Sequence, residues 1–560
     1  MPWGRLFGTF SLLTTLGFTI KVYASTVPDV VDLGYAKYQG FVNKNTSNTE
    51  FLGIRFAAAP TGALRWREPQ TPSSIAGIQQ ANAFPNACLQ AGEGGNAVNP
   101  FRIQKFTVHS LVETRSNLGT RATAAPSEDC LFLNVFIPNT LNKDRNLPVV
   151  VWIHSGGYSV GSSDMYNGND LIRESGAAVV VVTIQYRLGV FGFLSGQKVK
   201  DNGLLNAGLL DQQFALKWVQ QHIKKFGGDP AKVTIWGESA GAGSVLQHIV
   251  ANGGRTEPSL FRGAISSSLY FPPQYQFNDP ILEANNSIRN ALFSEVSSQT
   301  GCASASDTMT CLRAVNPAVL QNTNVNITSN AFFGTFIFVP VVDGTFITHR
   351  PTELLKEGRV NGEALLAVTN VFEGATFVDA SIASTIQIDN FAGQLFPHFG
   401  TKEMAATATQ YQGIGAPLDQ AIAIMGESIF ICPTYTMLSA FTGRSFKGEF
   451  AVPPAIHGTD VIYYFPSTPV LILAKNKCDP RCSTNNNTAF DKSFSESFLN
   501  FAMSLNPNVK WDSTGDITQL WNTWNGDNEM LFTEVTPMPR SYARSTHLKP
   551  CCNVAIFGKA

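Results

Sequence analysis

The strongest constraint on the fold is a series of short runs that are apolar at nearly every position. Residues 147–154 (LPVVVWIH) and 177–186 (AAVVVVTIQY) are the clearest of them. A strand with one face in water alternates apolar and polar residues, so these runs need apolar cover on both faces. Similar strand-like runs lie at residues 131–138, 232–237, 263–268, 364–370 and 448–452.

Segments with helical periodicity separate the strand-like runs. The best of them, residues 209–226, places four large apolar side chains near one face: Leu210, Phe214, Trp218 and Ile223. Alternating strands and helices favour a parallel sheet that is covered by helices on each side. We therefore predict an α/β fold with one large, mostly parallel central sheet.

Local signals near the N-terminus and along the surface predict an extracellular protein. Residues 1–24 combine Arg5, an apolar run and a small-residue cleavage site at Ala24, which is typical of a signal peptide. No later segment is apolar enough to be expected to span a bilayer. Residues 25–560 are expected to form a single domain. Glycosylation sequons begin at Asn45, Asn285, Asn326 and Asn486.

The nine cysteines of a secreted chain suggest disulfides with one thiol left over. Cys432 lies in an apolar run and is expected to be that buried, unpaired residue. No His/Cys cluster has zinc spacing, so we expect no metal site. The formal net charge of -1 gives no electrostatic case for a nucleic-acid partner. The pairing stays open for the late cysteines, Cys478, Cys482, Cys551 and Cys552.

A serine between two glycines stands at the junction of a strand-like run and a helix-like segment, at residues 237–241 (GESAG). The same Gly-x-Ser-x-Gly pattern occurs at residues 157–161 (GYSVG), so the pattern alone identifies nothing. Only Ser239 has a strand before it and a helix after it, whereas loop-like residues follow Ser159. A phosphate-binding turn fails because its third glycine would fall at Leu246. Small neighbours permit a strained turn that presents a nucleophilic hydroxyl, and we predict that role for Ser239.

A second glycine turn follows the strand-like run at residues 147–154. Gly156 and Gly157 can direct backbone N–H groups to a place that a side chain would block. Such donors stabilise the oxyanion that forms when a nucleophile attacks a carbonyl group. We predict an oxyanion hole made by the N–H groups of Gly156, Gly157 and Ala240.

A serine nucleophile needs a histidine to accept its proton and an acid to orient that histidine. In this fold class the chain order is serine, acid, histidine. His457 lies in a loop just beyond the run at 448–452, and Glu373 follows the run at 364–370. We predict that these two residues complete a triad with Ser239. The alternatives along the chain are His248, His349, His398 and His547 for the base, and Asp343 and Asp389 for the acid.

At these motifs the chain resembles the type-B carboxylesterase/lipase family, the cholinesterase-like branch of the α/β-hydrolases. The likeness runs from residue 53 to 460 in family order, and the longest matching stretch, residues 206–245, is highly specific. The resemblance implies the same triad, an α/β-hydrolase fold and no cofactor. It implies salt bridges Arg55–Glu128 and Arg187–Asp211. It also implies disulfides Cys88–Cys130 and Cys302–Cys311. The chain departs from the family at Gln185, where asparagine is usual, and in its late cysteines.

The family contains cholinesterases, carboxylesterases, lipases, sterol esterases and adhesion proteins that lack the catalytic serine. The presence of Ser239 disfavours adhesion, and the absence of tryptophan from residues 89–129 disfavours a choline ester. Because lipase members use the equivalent loop as a lid, we expect residues 89–129 to cover an apolar cleft and to open at an oil–water interface. The predicted substrates are lipophilic carboxylic esters, with aryl or phenolic esters as the alternative. An acyl pocket is expected among Phe332, Phe333, Phe336, Phe338, Tyr270 and Phe271, which the sequence allows equally as core residues.

Overall fold

The computed structural model describes residues 29–103, 125–281, 284–468, 487–533 and 537–541. Sixteen strands lie within these residues and form three sheets. In chain order they are β1 Val30–Asp32, β2 Lys37–Gln39, β3 Phe41–Val42, β4 Thr49–Arg55, β5 Ile78–Gln80, β6 Phe132–Ile137, β7 Leu147–Ile153, β8 Val180–Ile184, β9 Gly228–Glu238, β10 Gly263–Ser267, β11 Pro280–Ile281, β12 Ala284–Ser287, β13 Ala364–Asn370, β14 Ser445–Phe450, β15 Asn528–Phe532 and β16 Met538–Ser541.

Helices connect the strands and cover the main sheet. The α-helices of the described residues are α1 Pro100–Ile103, α2 Gly168–Glu174, α3 Gly189–Phe193, α4 Gln197–Asn202, α5 Ala207–His222, α6 Ala240–Gly254, α7 Ile288–Gln299, α8 Thr308–Ala314, α9 Pro317–Ser329, α10 Pro351–Lys356, α11 Ile388–Leu395, α12 Thr401–Tyr411, α13 Pro417–Gly426, α14 Cys432–Ser439, α15 Val461–Tyr464 and α16 Thr488–Ser504. A turn of π-helix, Glu427–Ile431, joins α13 to α14.

The main sheet has eleven strands in the order β16-β15-β14-β13-β10-β9-β7-β8-β6-β4-β3. Seven neighbouring strands, from β15 to β8, pair in parallel, while antiparallel strands lie at both ends. Connections between parallel strands must cross over the sheet, which is why helices occupy both faces. The predicted mostly parallel α/β sheet is confirmed.

The apolar runs are buried on both faces because the sheet separates two hydrophobic cores. In β7, Val149, Val151 and Ile153 face the core that contains α5 and α6. Val150 and Trp152, which alternate with them, face the second core, where α16 supplies four phenylalanines. Burial at every position therefore follows from helices on each side.

The helix predicted from residues 209–226 is present as α5 and a following 3₁₀ turn, Ile223–Phe226. The predicted face is correct in part, because Trp218 and Ile223 are buried. Leu209, Leu216 and Val219 are fully buried, whereas Leu210 and Phe214 are only partly buried against the same core.

Two disulfides join the cysteines that the resemblance pairs. Cys88 is bonded to Cys130, and Cys302 is bonded to Cys311. The prediction that Cys432 is unpaired is wrong, because this residue is also disulfide-bonded. An apolar neighbourhood suits a disulfide sulfur as well as a thiol, so local sequence could not separate the two. The late cysteines, residues 1–24 and most of the proposed lid (residues 104–124) lie outside the described residues.

One of the two implied salt bridges has a different partner. The guanidinium of Arg55 binds the carboxylate of Asp129 at 2.6 Å, while Glu128 binds Arg65 at 2.6 Å. Glu128 and Asp129, although adjacent in the chain, therefore pair with different arginines. Arg187 and Asp211 form the expected pair at 2.7 Å, and both are almost completely buried.

Burial bears on two further expectations. Within the described residues, one helical stretch, Pro417–Ser439, is long and apolar enough to cross a membrane, although none was expected. In its most apolar 18-residue window, 67% is buried inside the fold, so this apolar surface serves packing. The sequon asparagine Asn326 is buried in α9 and donates to Gln299 at 3.0 Å, which argues against a glycan there. Asn45 is exposed, and the side chains of Asn285 and Asn486 are not described.

The buried pair of Arg187 and Asp211 gives a prediction about stability. The substitution Asp211→Ala leaves the buried guanidinium without its counter-charge and should lower the free energy of unfolding by ~3–5 kcal/mol. Denaturant unfolding followed by tryptophan fluorescence measures the change. Lys37→Ala is the control, because its pair with Asp32 is more than half exposed (57% and 58%) and should leave the midpoint unchanged. Equal midpoints for the two variants would contradict the account.

Candidate active site

Ser239 stands in the sharp turn between β9 and α6. Its backbone has φ 54° and ψ −119°, which a residue with a side chain rarely adopts. Its N–H donates to the carbonyl oxygen of Ser267 at 3.0 Å, so the neighbouring strand β10 holds the turn in place. A Cβ on Gly237 would lie 2.4 Å from the backbone of Gly241, and a Cβ on Gly241 would lie 2.1 Å from the carbonyl oxygen of Ile153. The two glycines are therefore required by close approach of backbone.

The glycine turn after β7 lies beside this serine turn. Gly156 and Gly157 have φ values of 109° and 62°, which favour glycine. A Cβ on Gly157 would lie 2.2 Å from the ring of Phe336. Since Gly241 packs directly on the end of β7, the first residue of α6, Ala240, is held close to this turn. The start of α6 therefore packs against the end of the strand that leads into Gly156 and Gly157.

Glu373 and His457 are in direct contact. Nδ1 of His457 lies 2.6 Å from Oε2 of Glu373, and the other carboxylate oxygen accepts the N–H of Asn370 at 2.7 Å. Both side chains are almost completely buried. A carboxylate at Nδ1 keeps the proton on that nitrogen and leaves Nε2 free to accept another.

A buried polar network fixes the loop that carries His457. The side-chain amide of Asn370, at the end of β13, donates to the hydroxyl of Ser268 at 2.9 Å and to Asp460 at 3.0 Å. Its amide oxygen accepts the hydroxyl of Thr459 at 2.9 Å. The ends of β10 and β13 are thereby tied to the loop after β14. Burial raises the pKa of Asp460 to about 6.

Glu238 is a site residue that the sequence analysis did not single out, although it precedes Ser239 directly in GESAG. Its Oε1 lies 3.3 Å from Nε2 of His457, so the reactive nitrogen faces the residue next to the serine. Burial raises the pKa of Glu238 to about 8. Burial alone would lower the pKa of His457, but the charge of Glu238 and the hydrogen bond to Glu373 outweigh it and raise this pKa above 6.5.

The alternative residues occupy other environments. Asp343 accepts three hydrogen bonds from the turn at residues 345–347 and one from Asn206, and Asp389 is exposed. His248 contacts Gln212 at 3.1 Å inside the core, and His349 is exposed. The hydroxyl of Ser159 is buried and has no hydrogen-bond partner among the described residues. His547 lies outside them.

An apolar cleft opens beside the serine, with about 640 Å³ of empty space including its mouth. Three of its lining residues contact the site directly. Phe336 packs against Gly157, the ring of Phe430 lies 4.6 Å from that of His457, and the N–H of Tyr270 donates to the carbonyl oxygen of Ser239 at 3.1 Å. Phe430 belongs to the π-helical turn, a distortion that is frequent at functional sites.

Three of the six residues expected around an acyl pocket line this cleft. Tyr270, Phe332 and Phe336 line the cleft. Phe338 is buried in the core, and Phe271 and Phe333 are partly buried outside the lining. One end of the proposed lid forms a wall of the cleft, because Asn99–Phe101 line it and Asn99 is bonded to Gln394 at 2.7 Å and 2.8 Å.

Comparison with known proteins agrees with this architecture. The sequence matches the carboxylesterase family over residues 28–551. It is 32% identical over 421 residues to Lipase 4 of Diutina rugosa, covering 71% of this chain and 74% of that protein. It is 28% identical over 531 residues to Secreted lipase 1 of Botryotinia fuckeliana, covering 86% and 85%. The solved structure of Aspergillus niger EstA superposes with a TM-score of 0.80 at 29% identity, covering 96% of this chain and 100% of that one.

The chain belongs to the carboxylesterase family. Its mostly parallel sheet, with the serine turn at the carboxyl edge, is the α/β-hydrolase fold. The protein is a carboxylic ester hydrolase, and lipases and esterases are its relatives.

Proposed function

We propose that this protein is a secreted serine hydrolase that cleaves lipophilic carboxylic esters through an acyl-enzyme. Residues 1–24 act as its signal peptide and residues 25–560 as one catalytic domain. The similarity to Secreted lipase 1 of Botryotinia fuckeliana supports secretion. The observation that carries the chemistry is the buried Glu373–His457 pair. Nε2 of His457 faces Glu238, which directly precedes the strained Ser239, and the pair lies beside Phe430 of the apolar cleft.

The proposed reaction has two balanced halves. Ser239 Oγ attacks the ester carbonyl carbon while its proton passes to Nε2 of His457, and the carbonyl oxygen becomes an oxyanion. The N–H groups of Gly156, Gly157 and Ala240 stabilise this charge. The C–O bond to the alcohol then breaks, and His457 returns the proton to the leaving alcohol. Water attacks the acyl-enzyme by the same route, which releases the acid and restores the serine.

Glu373 acts by holding His457 in position and by stabilising its positive charge. Its second oxygen is fixed by the N–H of Asn370, so the carboxylate cannot rotate away from Nδ1. The lipophilic preference is supported by the aromatic cleft, whose lining includes Phe332, Phe336 and Phe430. The same aromatic lining favours the alternative substrate class, aryl or phenolic esters, and an acyl-length series separates the two.

The first prediction distinguishes the two serine motifs. Ser239→Ala removes the nucleophile and should lower kcat for a short 4-nitrophenyl ester by ~10⁴-fold or more, with the fold intact. Ser159→Ala removes a buried hydroxyl that has no hydrogen-bond partner among the described residues, so activity should stay close to that of the wild type. Circular dichroism checks the fold of both variants. An active Ser239 variant, or a dead but folded Ser159 variant, would overturn the assignment.

The second prediction concerns pH. His457 must be neutral to accept a proton, so kcat/KM should fall as the pH drops through its pKa. Because this pKa is raised, the acidic limb should have its midpoint above 6.5. Glu238, whose pKa is raised by burial to about 8, is only partly ionised near neutral pH; Glu238→Gln removes this remaining negative charge next to Nε2 and should move the limb to lower pH. Glu238 and His457 stabilise each other's charged forms, so the midpoint of the acidic limb reflects the coupled titration of both groups. A limb that stays in place or moves upward would contradict this electrostatic account.

The third prediction concerns an oil–water interface. Val98 and Ile103 flank the wall at Asn99–Phe101 and are 40% and 55% exposed, so this lip presents apolar surface at the cleft. For a sparingly soluble ester, the rate should rise beyond saturation once its solubility limit is passed.

The substitution Ile103→Ser should reduce that additional rise while leaving the rate on a soluble short ester unchanged. Ile78→Ser is the matched control, because Ile78 is 51% exposed on the separate small sheet formed by β1, β2 and β5. Smooth saturation below the solubility limit with no later rise would remove the interface from the proposal and leave a plain carboxylesterase.

A further inference from the structure

The apolar cleft contains one buried cation. Arg289, in α7, lines the cleft together with Tyr270 and Tyr275, and its side chain is 2% exposed. Arginine is rarely buried without a carboxylate, because the loss of hydration of its charge costs several kcal/mol. A guanidinium in the wall of an otherwise apolar substrate cleft therefore requires an explanation.

The hydrogen bonds of Arg289 are incomplete. Nη1 donates to the carbonyl oxygen of Ile337 at 2.8 Å, whereas Nε is buried and has no acceptor among the described residues. A guanidinium has five N–H donors, so most of its capacity is unused. The contact with the ring of Tyr275, 5.0 Å from the guanidinium carbon to the centroid, is a weak substitute for an anion.

The charges around Arg289 do not neutralise it. Asp279 is the acidic group that faces this region, but its carboxylate is bound to Arg350 at 2.9 Å and also accepts the N–H of Gln276 at 2.6 Å. The remaining titratable neighbours are His398, whose pKa is lowered by burial, and Tyr270 and Tyr275, whose pKa values are raised by burial. Because Asp279 is paired with Arg350, Arg289 has no carboxylate of its own in contact among the described residues.

This inference rests on the proposed function, in which the cleft receives part of the ester. We propose that Arg289 binds a carboxylate that the substrate carries at a distance from the scissile bond. A carboxylate accepts two parallel N–H bonds from a guanidinium, which is the contact that Arg289 lacks. The remaining lining is apolar and suits the carbon chain between the two groups. The preferred substrates are then half-esters of dicarboxylic acids. The ester group is cleaved, and the free carboxylate binds Arg289.

Two matched series of 4-nitrophenyl esters test the proposal. In one series the acyl chain of four to ten carbons ends in a carboxylate, and in the other it ends in a methyl group. The wild type should prefer the carboxylate series at one optimal length, because the positions of Ser239 and Arg289 are fixed. The methyl series should show no preference at that length. A wild type that disfavours the carboxylate at every length would overturn the proposal, whatever the variants do.

The variants separate recognition from a structural role. Arg289→Met should lower the ratio of kcat/KM for carboxylate over methyl substrates by about 10- to 100-fold, chiefly through KM. Activity on the methyl series should change by less than about 3-fold, and Arg289→Lys should restore part of the preference. Arg262→Met is the control. Like Arg289, Arg262 has a buried Nε without an acceptor among the described residues. Its guanidinium, however, binds the carbonyl oxygen of Met503. An equal loss in both series would show a structural role only.

A binding measurement separates failure of this inference from failure of the proposed function. The inactive Ser239→Ala variant is titrated with the dicarboxylate of optimal length by calorimetry. If Ser239→Ala binds the dicarboxylate and the double variant with Arg289→Met does not, the carboxylate site is supported. This holds even if no ester is hydrolysed through Ser239. Hydrolysis of esters together with equal affinity for the dicarboxylate and the matching monocarboxylate would overturn the site and leave the proposed function standing.

Discussion

The close contact between the backbones of β7 and the start of α6 is the constraint on which the site depends. Gly241 leaves no room for a Cβ, since one would lie 2.1 Å from the carbonyl oxygen of Ile153. This contact packs the start of α6 against the strand end that leads into Gly156 and Gly157, next to the strained turn of Ser239. The strain costs about 1–3 kcal/mol, and the two packed cores on either side of the sheet supply the stability that maintains it.

Parallel strands make this local geometry part of a larger site, because their carboxyl ends meet at one edge. Glu373 follows β13 and His457 follows β14, so neighbouring strands present the two residues to each other. Three carboxyl groups, Glu238, Glu373 and Asp460, surround one histidine in a buried region. Burial raises the pKa of Glu238 to about 8 and that of Asp460 to about 6, which limits the negative charge that accumulates there.

Features set by local sequence were predictable, and those set by distant partners were not. The strands were recognisable because burial on both faces leaves uninterrupted apolar runs, and the turn at Ser239 was recognisable from its small residues. The partner of Arg55 depends on how Glu128 and Asp129 are oriented in the folded chain, and the bonding of Cys432 depends on another part of the chain. Glu238 was adjacent to the predicted nucleophile but gave no periodic signal, and nothing local marks Arg289 as part of a cleft.

The central claim is that Ser239 is the nucleophile of this hydrolase, and covalent trapping tests it most directly. A fluorophosphonate transfers its phosphorus to an activated serine and loses fluoride, which leaves a stable adduct on the oxygen. After digestion, mass spectrometry should find one equivalent of label on the peptide that contains Ser239, with its formation slowing as His457 becomes protonated. Label on the peptide that contains Ser159, or a native protein that hydrolyses esters without taking up label, would contradict the account.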